Sequence, residues 1–158
     1  MKKGAVSRLS AVAGAVAGAV TAGRMASKAT NKAQIMSDKH LALYLLMNQW
    51  VAVKQEGKNL KDYFEENGYK TIAIYGMSYV GERLVEELRD SDINIKYAID
   101  KSADSIYSAV KIVAMDEDLE DVDAIIVTPV FFFDEIEAKL MDKMQCPIIS
   151  IEDVLYEV

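Results

Sequence analysis

The segment from Thr71 to Asp100 constrains the fold of this chain more than any other part of the sequence. It begins with an apolar run, Thr-Ile-Ala-Ile-Tyr, continues through Gly76-Met-Ser-Tyr-Val-Gly81 into a helical pattern, and returns through a second apolar run that ends on Asp100. This order of strand, glycine turn, helix, strand and acid is typical of a β-α-β unit that binds a dinucleotide. The segment therefore predicts a nucleotide-binding fold.

The residues that follow continue the alternation of strands and helices. We predict strands at 71–75, 93–99, 110–113 (a short edge strand), 124–128 and 147–150, and helices at 80–88, 132–143 and 152–156. The continuously apolar run at 124–128 indicates a strand that is buried on both faces, as in a parallel sheet. Short connections and right-handed crossovers then predict an α/β fold, with a doubly wound, mostly parallel five-stranded sheet that is Rossmann-like and has the order 3-2-1-4-5.

A helical extension precedes this sheet. Residues 37–56 have apolar positions near helical spacing, with Ser37 and Asp38 as predicted caps, Trp50 as a packing anchor and Gly57 as the stop. A short helix at about 60–66 follows. We therefore divide the chain into a basic Ala/Gly-rich head (1–36, flexible or helical), a helical lead-in that packs on the core (37–68) and a Rossmann-like nucleotide-binding domain (69–158).

Charge is distributed unevenly along the chain. The net charge is −7, but the head contains six lysine and arginine residues and no acid, so the remainder carries −13. An acidic body does not favour nucleic acid as a partner, and none is expected. For the basic head three targets stay open: nucleic acid, an anionic membrane surface in peripheral contact, and the protein's own acidic domain.

The head itself has an uncharged run at 9–23 between Arg8 and Arg24. These 15 residues are fewer than the roughly 20 that cross a bilayer. On a helix, Val12, Val16 and Val20 form a ridge beside a row of small residues (Gly14, Gly18 and Ala22), which suits contact between helices. We interpret the head as a tail that mediates assembly or has no specific role, and we expect the protein to be cytoplasmic. The alternative is that residues 1–36 are a signal peptide or associate with a membrane.

Cysteine and histidine each occur once, as Cys146 and His40. A single cysteine excludes an intrachain disulfide, and we interpret it as a buried structural thiol. A lone histidine supports neither a histidine-based metal site nor the base of a serine or cysteine hydrolase. We therefore predict no catalytic and no metal-binding residues.

The glycine turn is the predicted ligand site. Gly76 is expected to make the tight turn and Gly81 to let helix and strand pack closely, while Ser78 stands where the full fingerprint has a glycine. The helix that follows would direct its free N–H groups and its positive end at an anion. Asp100 stands 24 positions after Gly76, where an acid is expected to accept hydrogen bonds from ribose hydroxyls. An acid there disfavours a 2′-phosphate, although the positive charge of the neighbouring Lys101 reduces this effect. The alternative is a tight strand–helix junction that binds nothing.

The loop after the fourth strand borders the same crevice. Thr128 is expected either to bond a phosphate or sugar or to cap the next helix, and Pro129 accompanies it. Phe131, Phe132 and Phe133 cannot all be buried by one helix start, so one or two are exposed, for a dimer contact or, less favoured, for base stacking. The predicted cofactor-binding residues are Gly76, Met77, Ser78, Tyr79, Val80, Gly81, Asp100, Lys101, Thr128 and Pro129.

Several of these stretches resemble a known group of proteins. The quoted motifs are Gly57-Lys-Asn-Leu, Gly68-Tyr-Lys-Thr-Ile-Ala-Ile-Tyr-Gly-Met, Gly81-Glu-Arg-Leu-Val-Glu-Glu-Leu, Tyr97-Ala-Ile-Asp, Asp123-Ala-Ile-Ile-Val-Thr and Ile149-Ser-Ile-Glu-Asp-Val-Leu. They are similar to small Rossmann-like domains of bacterial cell-surface polysaccharide gene clusters, alone or fused to glycosyltransferases. They also resemble the nucleotide-sugar-binding N-terminal domain of sugar acyltransferases. Relatives commonly have glycine at the position of Ser78, and the acyltransferases' hexapeptide-repeat catalytic part is not present in this sequence.

The resemblance implies a binding or accessory domain that takes NAD or a nucleotide-sugar, with a homo-oligomer or a glycosyltransferase as partner. We expect no catalysis, unless an active site is shared across an oligomer. The first alternative is a Rossmann-shaped scaffold that binds no nucleotide and assembles through its head and the three phenylalanines. A weaker alternative is an NAD-dependent oxidoreductase, which would need a substrate domain and a proton donor beyond the fifth strand.

Overall fold

The computed structural model describes the backbone of residues 4–158 and the side chains of residues 30–158 except that of Asp104. The chain divides into two compact units, with the boundary in the sequence between Leu41 and Ala42. The predicted ridge and small-residue row of the head lie outside the described side chains. In the part of the chain that is described, no helix has the combination of length and apolar content that crossing a membrane requires.

Helix α1 spans Gly4–Gln55, so the predicted helix start at Ser37 and Asp38 is wrong. Asp38 does not act as a cap, because its carboxylate accepts a hydrogen bond of 2.8 Å from the Nε2 amide of Gln34, one turn earlier. Such a pair four positions apart stabilises a continuing helix. The predicted stop is confirmed, since α1 ends two residues before Gly57, which has a φ of +76°.

Helices and strands alternate after α1. They are α2 (Leu60–Glu66), β1 (Thr71–Tyr75), α3 (Tyr79–Leu88), β2 (Asn94–Ile99), β3 (Ile112–Val113), β4 (Ala124–Val127), α4 (Phe133–Met141), β5 (Ile148–Ser150) and α5 (Ile151–Glu157). Single 3₁₀ turns lie at Ala103–Ser105 and Val130–Phe132. Each strand and helix predicted after residue 69 is present. Strand β3 is shorter than predicted, because it pairs with only the last two residues of β2.

The five strands form one parallel sheet in the order β3-β2-β1-β4-β5, which confirms the predicted fold class and strand order. Strand β1 lies at the centre, between β2 and β4. The strand order reverses there, since β2 and β3 lie on one side and β4 and β5 on the other. The carboxyl ends of β1, β2 and β4 therefore meet at the topological switch point of the sheet.

Helices cover both faces of the sheet. On one face, the end of α1 packs with α2, α3 and α5 around a core that includes Trp50, Phe64 and Leu84. Trp50 is 5% exposed, which confirms its role as a packing anchor. On the other face, α4 packs against β-strand residues that include Tyr75 and Tyr97. The sheet is therefore buried between two apolar layers. At the switch point, a ligand can approach the carboxyl ends of the strands.

Cys146 packs beside the second apolar layer, just before β5, and is partly buried. Burial raises the pKa of its thiol, which keeps the sulfur protonated and weakly nucleophilic. Both observations agree with a structural thiol.

Candidate functional site

A cleft of about 370 Å³ opens at the carboxyl ends of the central strands. It is lined by Tyr75, Gly76, Asp100, Lys101, Ser102, Pro129, Phe132, Glu135, Ile136 and Lys139. These residues come from the ends of β1 and β2, from the loop after β4 and from α4. Ligands of open parallel sheets bind in this position, where the strand order reverses. The cleft brings together four of the predicted site residues, which are Gly76, Asp100, Lys101 and Pro129.

Gly76 makes the turn that ends β1. Its φ is +94°, a conformation that residues with a side chain rarely adopt. A Cβ at this position would also lie 2.8 Å from the Cγ of Pro129 and 2.8 Å from the Oγ1 of Thr128. The N–H of Gly76 donates to the carbonyl of Ile99 at 2.8 Å, which joins the turn to the end of β2. The predicted role of Gly76 in a tight turn is therefore confirmed.

Gly81 lies in the first turn of α3 and packs against the backbone of Gly76. A Cβ on Gly81 would lie 2.2 Å from the carbonyl oxygen of Gly76, much closer than any real contact. The predicted role of Gly81 in close helix–strand packing is therefore confirmed. Gly81 is buried, so it acts on the site through the position of α3.

The residues between the two glycines separate into a buried and an exposed pair. The side chains of Met77 and Val80 belong to the first core layer and are 4% exposed each. Ser78 and Tyr79 are exposed, Tyr79 at 78%. Ser78 is the N-cap residue of α3, and its side chain makes no capping hydrogen bond. The start of α3 therefore presents backbone N–H groups and the positive end of the helix dipole at an accessible surface.

Asp100 has a structural role that the sequence did not reveal. One carboxylate oxygen, Oδ2, accepts the N–H of Met77 at 2.8 Å, and the other, Oδ1, accepts the N–H of Ser102 at 2.9 Å. The acid thus fixes the glycine turn to the end of β2. Each carboxylate oxygen has a second lone pair, so Asp100 can still accept hydrogen bonds from a ligand.

Thr128 joins the end of β4 to the glycine turn. Its Oγ1 hydroxyl donates to the carbonyl of Gly76 at 2.8 Å, and the carbonyl of Tyr75 lies 3.2 Å away. The predicted capping role is wrong, because α4 begins at Phe133 with Phe132 as its N-cap residue. Since β4 pairs directly with β1, its end lies beside the glycine turn. The side chain of Thr128 is 3% exposed, so it acts on the site through its hydrogen bond to the glycine turn.

The wall of the cleft formed by α4 carries an ion pair. The Nζ of Lys139 lies 2.5 Å from a carboxylate oxygen of Glu135, one turn earlier on α4. This contact lowers the pKa of the Glu135 carboxyl and raises the pKa of the Lys139 amine, and the charge of Lys101 lowers the Glu135 pKa further. With Asp100 as the second acid, the two acids and two lysines of the lining balance in formal charge.

Five lining residues were missed by sequence reasoning: Tyr75, Ser102, Glu135, Ile136 and Lys139. The spacing of Glu135 and Lys139 signals an ion pair on a helix, but not that the helix borders a ligand cleft. Tyr75 directly precedes the first glycine, and that position places it at the carboxyl end of the central strand. This position was the one available signal.

The three consecutive phenylalanines separate as predicted. Phe131 and Phe132 are 42% and 38% exposed, and their rings meet edge to face with centroids 5.2 Å apart. Phe133 packs against the second core layer. Phe132 lines the cleft, while a dimer contact through these rings stays a prediction.

A larger groove of about 490 Å³ lies between the end of α1 and α3. Its lining residues all belong to α1 and α3 and none to a strand, and Lys54 and Glu87 among them already pair at 2.7 Å. Among the described residues, no three His, Cys, Asp or Glu side chains cluster as metal ligands would. The cleft at the switch point is therefore the better candidate site.

Comparison of the chain with protein-family models, with curated proteins and with solved structures gives no match. The resemblance to domains of polysaccharide biosynthesis therefore stays a prediction.

Proposed function

We propose that this protein is a non-catalytic binding domain for a nucleotide or nucleotide-sugar. The observation that carries the proposal is the cleft at the switch point, which Gly76 and Asp100 line. Helix α3 begins three residues after Gly76, outside the cleft. A link to bacterial cell-surface polysaccharide biosynthesis, with a glycosyltransferase as partner, rests on the sequence resemblance alone.

The phosphate part of the ligand is assigned to the start of α3. The first N–H groups of a helix have no partner within the helix, and the dipole adds a positive partial charge there. Ser78 and Tyr79 are exposed at this point, and they follow Gly76 directly. A phosphate at this end would accept hydrogen bonds from the backbone without needing a charged side chain.

The ribose part is assigned to Asp100. Its carboxylate is held in place by two backbone N–H groups and lines the cleft. A fixed carboxylate with free lone pairs is a suitable acceptor for the two hydroxyls of a ribose. The acid also makes a 2′-phosphate unfavourable at the same place.

The proposal is tested by thermal shift of the full-length protein with NAD, NADP, UDP-sugars, CDP-sugars, CoA and S-adenosylmethionine. We expect one class to stabilise the protein, by about 2.7 kcal/mol at 100 times its dissociation constant, which corresponds to several degrees. Ser78→Trp should abolish this shift, because a bulky side chain would cover the start of α3. Because Ser78 is exposed, the unliganded variant should stay within about 0.5 kcal/mol of the wild type.

Glu66→Trp is the matched control. Glu66 is also exposed, and it is the last residue of α2, which precedes the amino end of β1. Gly76 follows the other end of that strand. Its replacement should leave the ligand-induced shift unchanged. If no compound of the panel raises the melting temperature of the wild type, the result would contradict nucleotide binding.

A scaffold is the second candidate function, and exposed apolar side chains on α1 favour it. Tyr44, Leu45 and Val51 are 66%, 50% and 52% exposed. Large apolar side chains that recur in one helix are typical of a contact with another chain, and we assign a second copy of this protein as the occupant.

The scaffold predicts a dimer that Tyr44→Glu/Leu45→Glu converts to a monomer, measured by light scattering on a sizing column. Ala109→Glu, at an exposed position outside α1, should leave the mass unchanged. An identical mass for wild type and double variant would contradict assembly through this face.

A further inference from the structure

Tyr75 has a polar group that the protein itself does not use. It is the last residue of β1, its side chain is 6% exposed, and its ring packs in the second core layer. The side chain lines the cleft, and among the described residues its hydroxyl has no hydrogen-bond partner. No fully enclosed polar atom of the described side chains lacks a partner, so the hydroxyl reaches the open space of the cleft.

Tyr97 shows the usual arrangement on the same face of the sheet. It lies on β2, beside Ala73 of β1, and its side chain is 2% exposed. Its hydroxyl donates to the carbonyl of Glu120 at 2.7 Å. A buried phenol normally finds a partner in this way, because an unpaired hydroxyl is unfavourable in an apolar layer. The different state of Tyr75 therefore points to a partner that enters the cleft from outside.

The remaining lining indicates the chemistry of that partner. The two acids and two lysines balance, so the cleft has no excess positive charge for a phosphate. Pro129, Phe132 and Ile136 add an apolar wall. Residues 77–81 do not line the cleft, so the start of α3 lies outside it. An uncharged group with both polar edges and an apolar face fits this lining, and the cleft volume is at the small end of the range for ligand sites.

We propose that the cleft holds the uncharged nucleoside end of the bound nucleotide and that the Tyr75 hydroxyl hydrogen-bonds to it. This inference rests on the proposed function and adds a specificity-determining residue to that site. Burial raises the pKa of the Tyr75 phenol, and the charges of Asp100 and Glu135 add to this effect while that of Lys139 opposes it. The hydroxyl therefore stays neutral at physiological pH and acts as donor or acceptor.

The test is calorimetric titration of the full-length protein and of Tyr75→Phe with AMP, CMP, GMP and UMP. Phenylalanine keeps the buried ring and removes only the hydroxyl. We expect the nucleotide that binds best to bind about tenfold more weakly to Tyr75→Phe, as loss of one hydrogen bond predicts. The melting temperature of the unliganded variant should not fall, because the Tyr75 hydroxyl has no hydrogen-bond partner among the residues that the structure describes.

Tyr97→Phe is the matched control, and it should show the opposite result. It removes a satisfied hydrogen bond away from the cleft, so it should lower the melting temperature and leave the dissociation constant unchanged. If Tyr75→Phe binds as tightly as the wild type while Ser78→Trp does not bind, the inference is overturned and the proposed function stands. If the wild type binds none of the four nucleotides, the same titration uses the compound that stabilises it in the thermal-shift panel, and equal affinity of Tyr75→Phe for that compound overturns the inference. If no compound of either set binds, both are overturned.

Discussion

Replacing Gly81 by alanine is expected to destabilise the protein by about 3 kcal/mol, which is the upper end of the usual cost of adding a methyl group to a packed interior. Helix propensity alone predicts the opposite sign, because alanine is favoured over glycine inside a helix by about 1 kcal/mol. The added methyl group would lie 2.2 Å from the carbonyl oxygen of Gly76. A backbone atom cannot rotate away as a side chain can, so α3 or the turn must move. Chemical denaturation of the purified variant measures the loss.

Gly57→Ala provides the control for this prediction. Gly57 has a positive φ, but nothing lies within 4 Å of its ideal Cβ position. Its replacement should therefore cost only the backbone strain, about 1 to 2 kcal/mol. A Gly81→Ala variant that is as stable as the wild type would show that α3 does not pack on the glycine turn as described.

Asp100→Ala is expected to cost about 2 to 3 kcal/mol in the absence of any ligand. The substitution removes the acceptors of two backbone N–H groups, those of Met77 and Ser102. The N–H of Met77 lies in the glycine turn, so its release loosens the connection between β1 and β2. Asp100→Asn keeps one acceptor and should fall between the alanine variant and the wild type.

Asp92→Ala is the matched control, since Asp92 is exposed in the turn before β2. Its replacement should change the free energy of unfolding by less than about 0.5 kcal/mol. Equal unfolding midpoints for Asp100→Ala and Asp92→Ala would contradict the structural role of Asp100. Because Asp100 holds the turn, loss of ligand binding in Asp100→Ala cannot by itself identify the ribose acceptor. Ser78→Trp and Tyr75→Phe test the site without this complication.

The sheet could be predicted from the sequence because the relevant information is local. Continuous apolar runs such as Ala124–Val127 identify buried parallel strands, and short connections leave few topologies. The lengths of the edge strands could not be predicted in the same way. Val110 is apolar but lies outside β3, because strand pairing depends on the neighbouring strand and not on apolar character.

The wrong prediction of a helix start at Ser37 and Asp38 shows a second limit of local patterns. A serine–aspartate pair before an apolar run is typical of a helix start. The same residues are tolerated inside a helix when a side chain one turn away satisfies them, as Gln34 does for Asp38. The sequence alone does not distinguish these two cases.

The candidate site was partly predictable for a similar reason. Gly76, Gly81 and Asp100 were found because the turn needs these residue types at this spacing. The remaining lining depends on which faces meet in three dimensions. Tyr75 is one of four consecutive buried residues of β1, and Glu135 and Lys139 form an ordinary ion pair on α4. Only the packing of α4 beside the end of β1 makes these three side chains part of one cleft.

The most direct test of nucleotide binding at the switch point is an NMR titration of the ¹⁵N-labelled full-length protein with AMP, CMP, GMP and UMP. We predict that at least one nucleotide shifts the amide resonances of Gly76, Ser78, Tyr79 and Ser102 in a saturable manner. The amide resonances of Val51 and Gln55, which line the larger groove, should stay unchanged. Shifts confined to Val51 and Gln55, or no shifts with any of the four nucleotides, would contradict binding at the switch point.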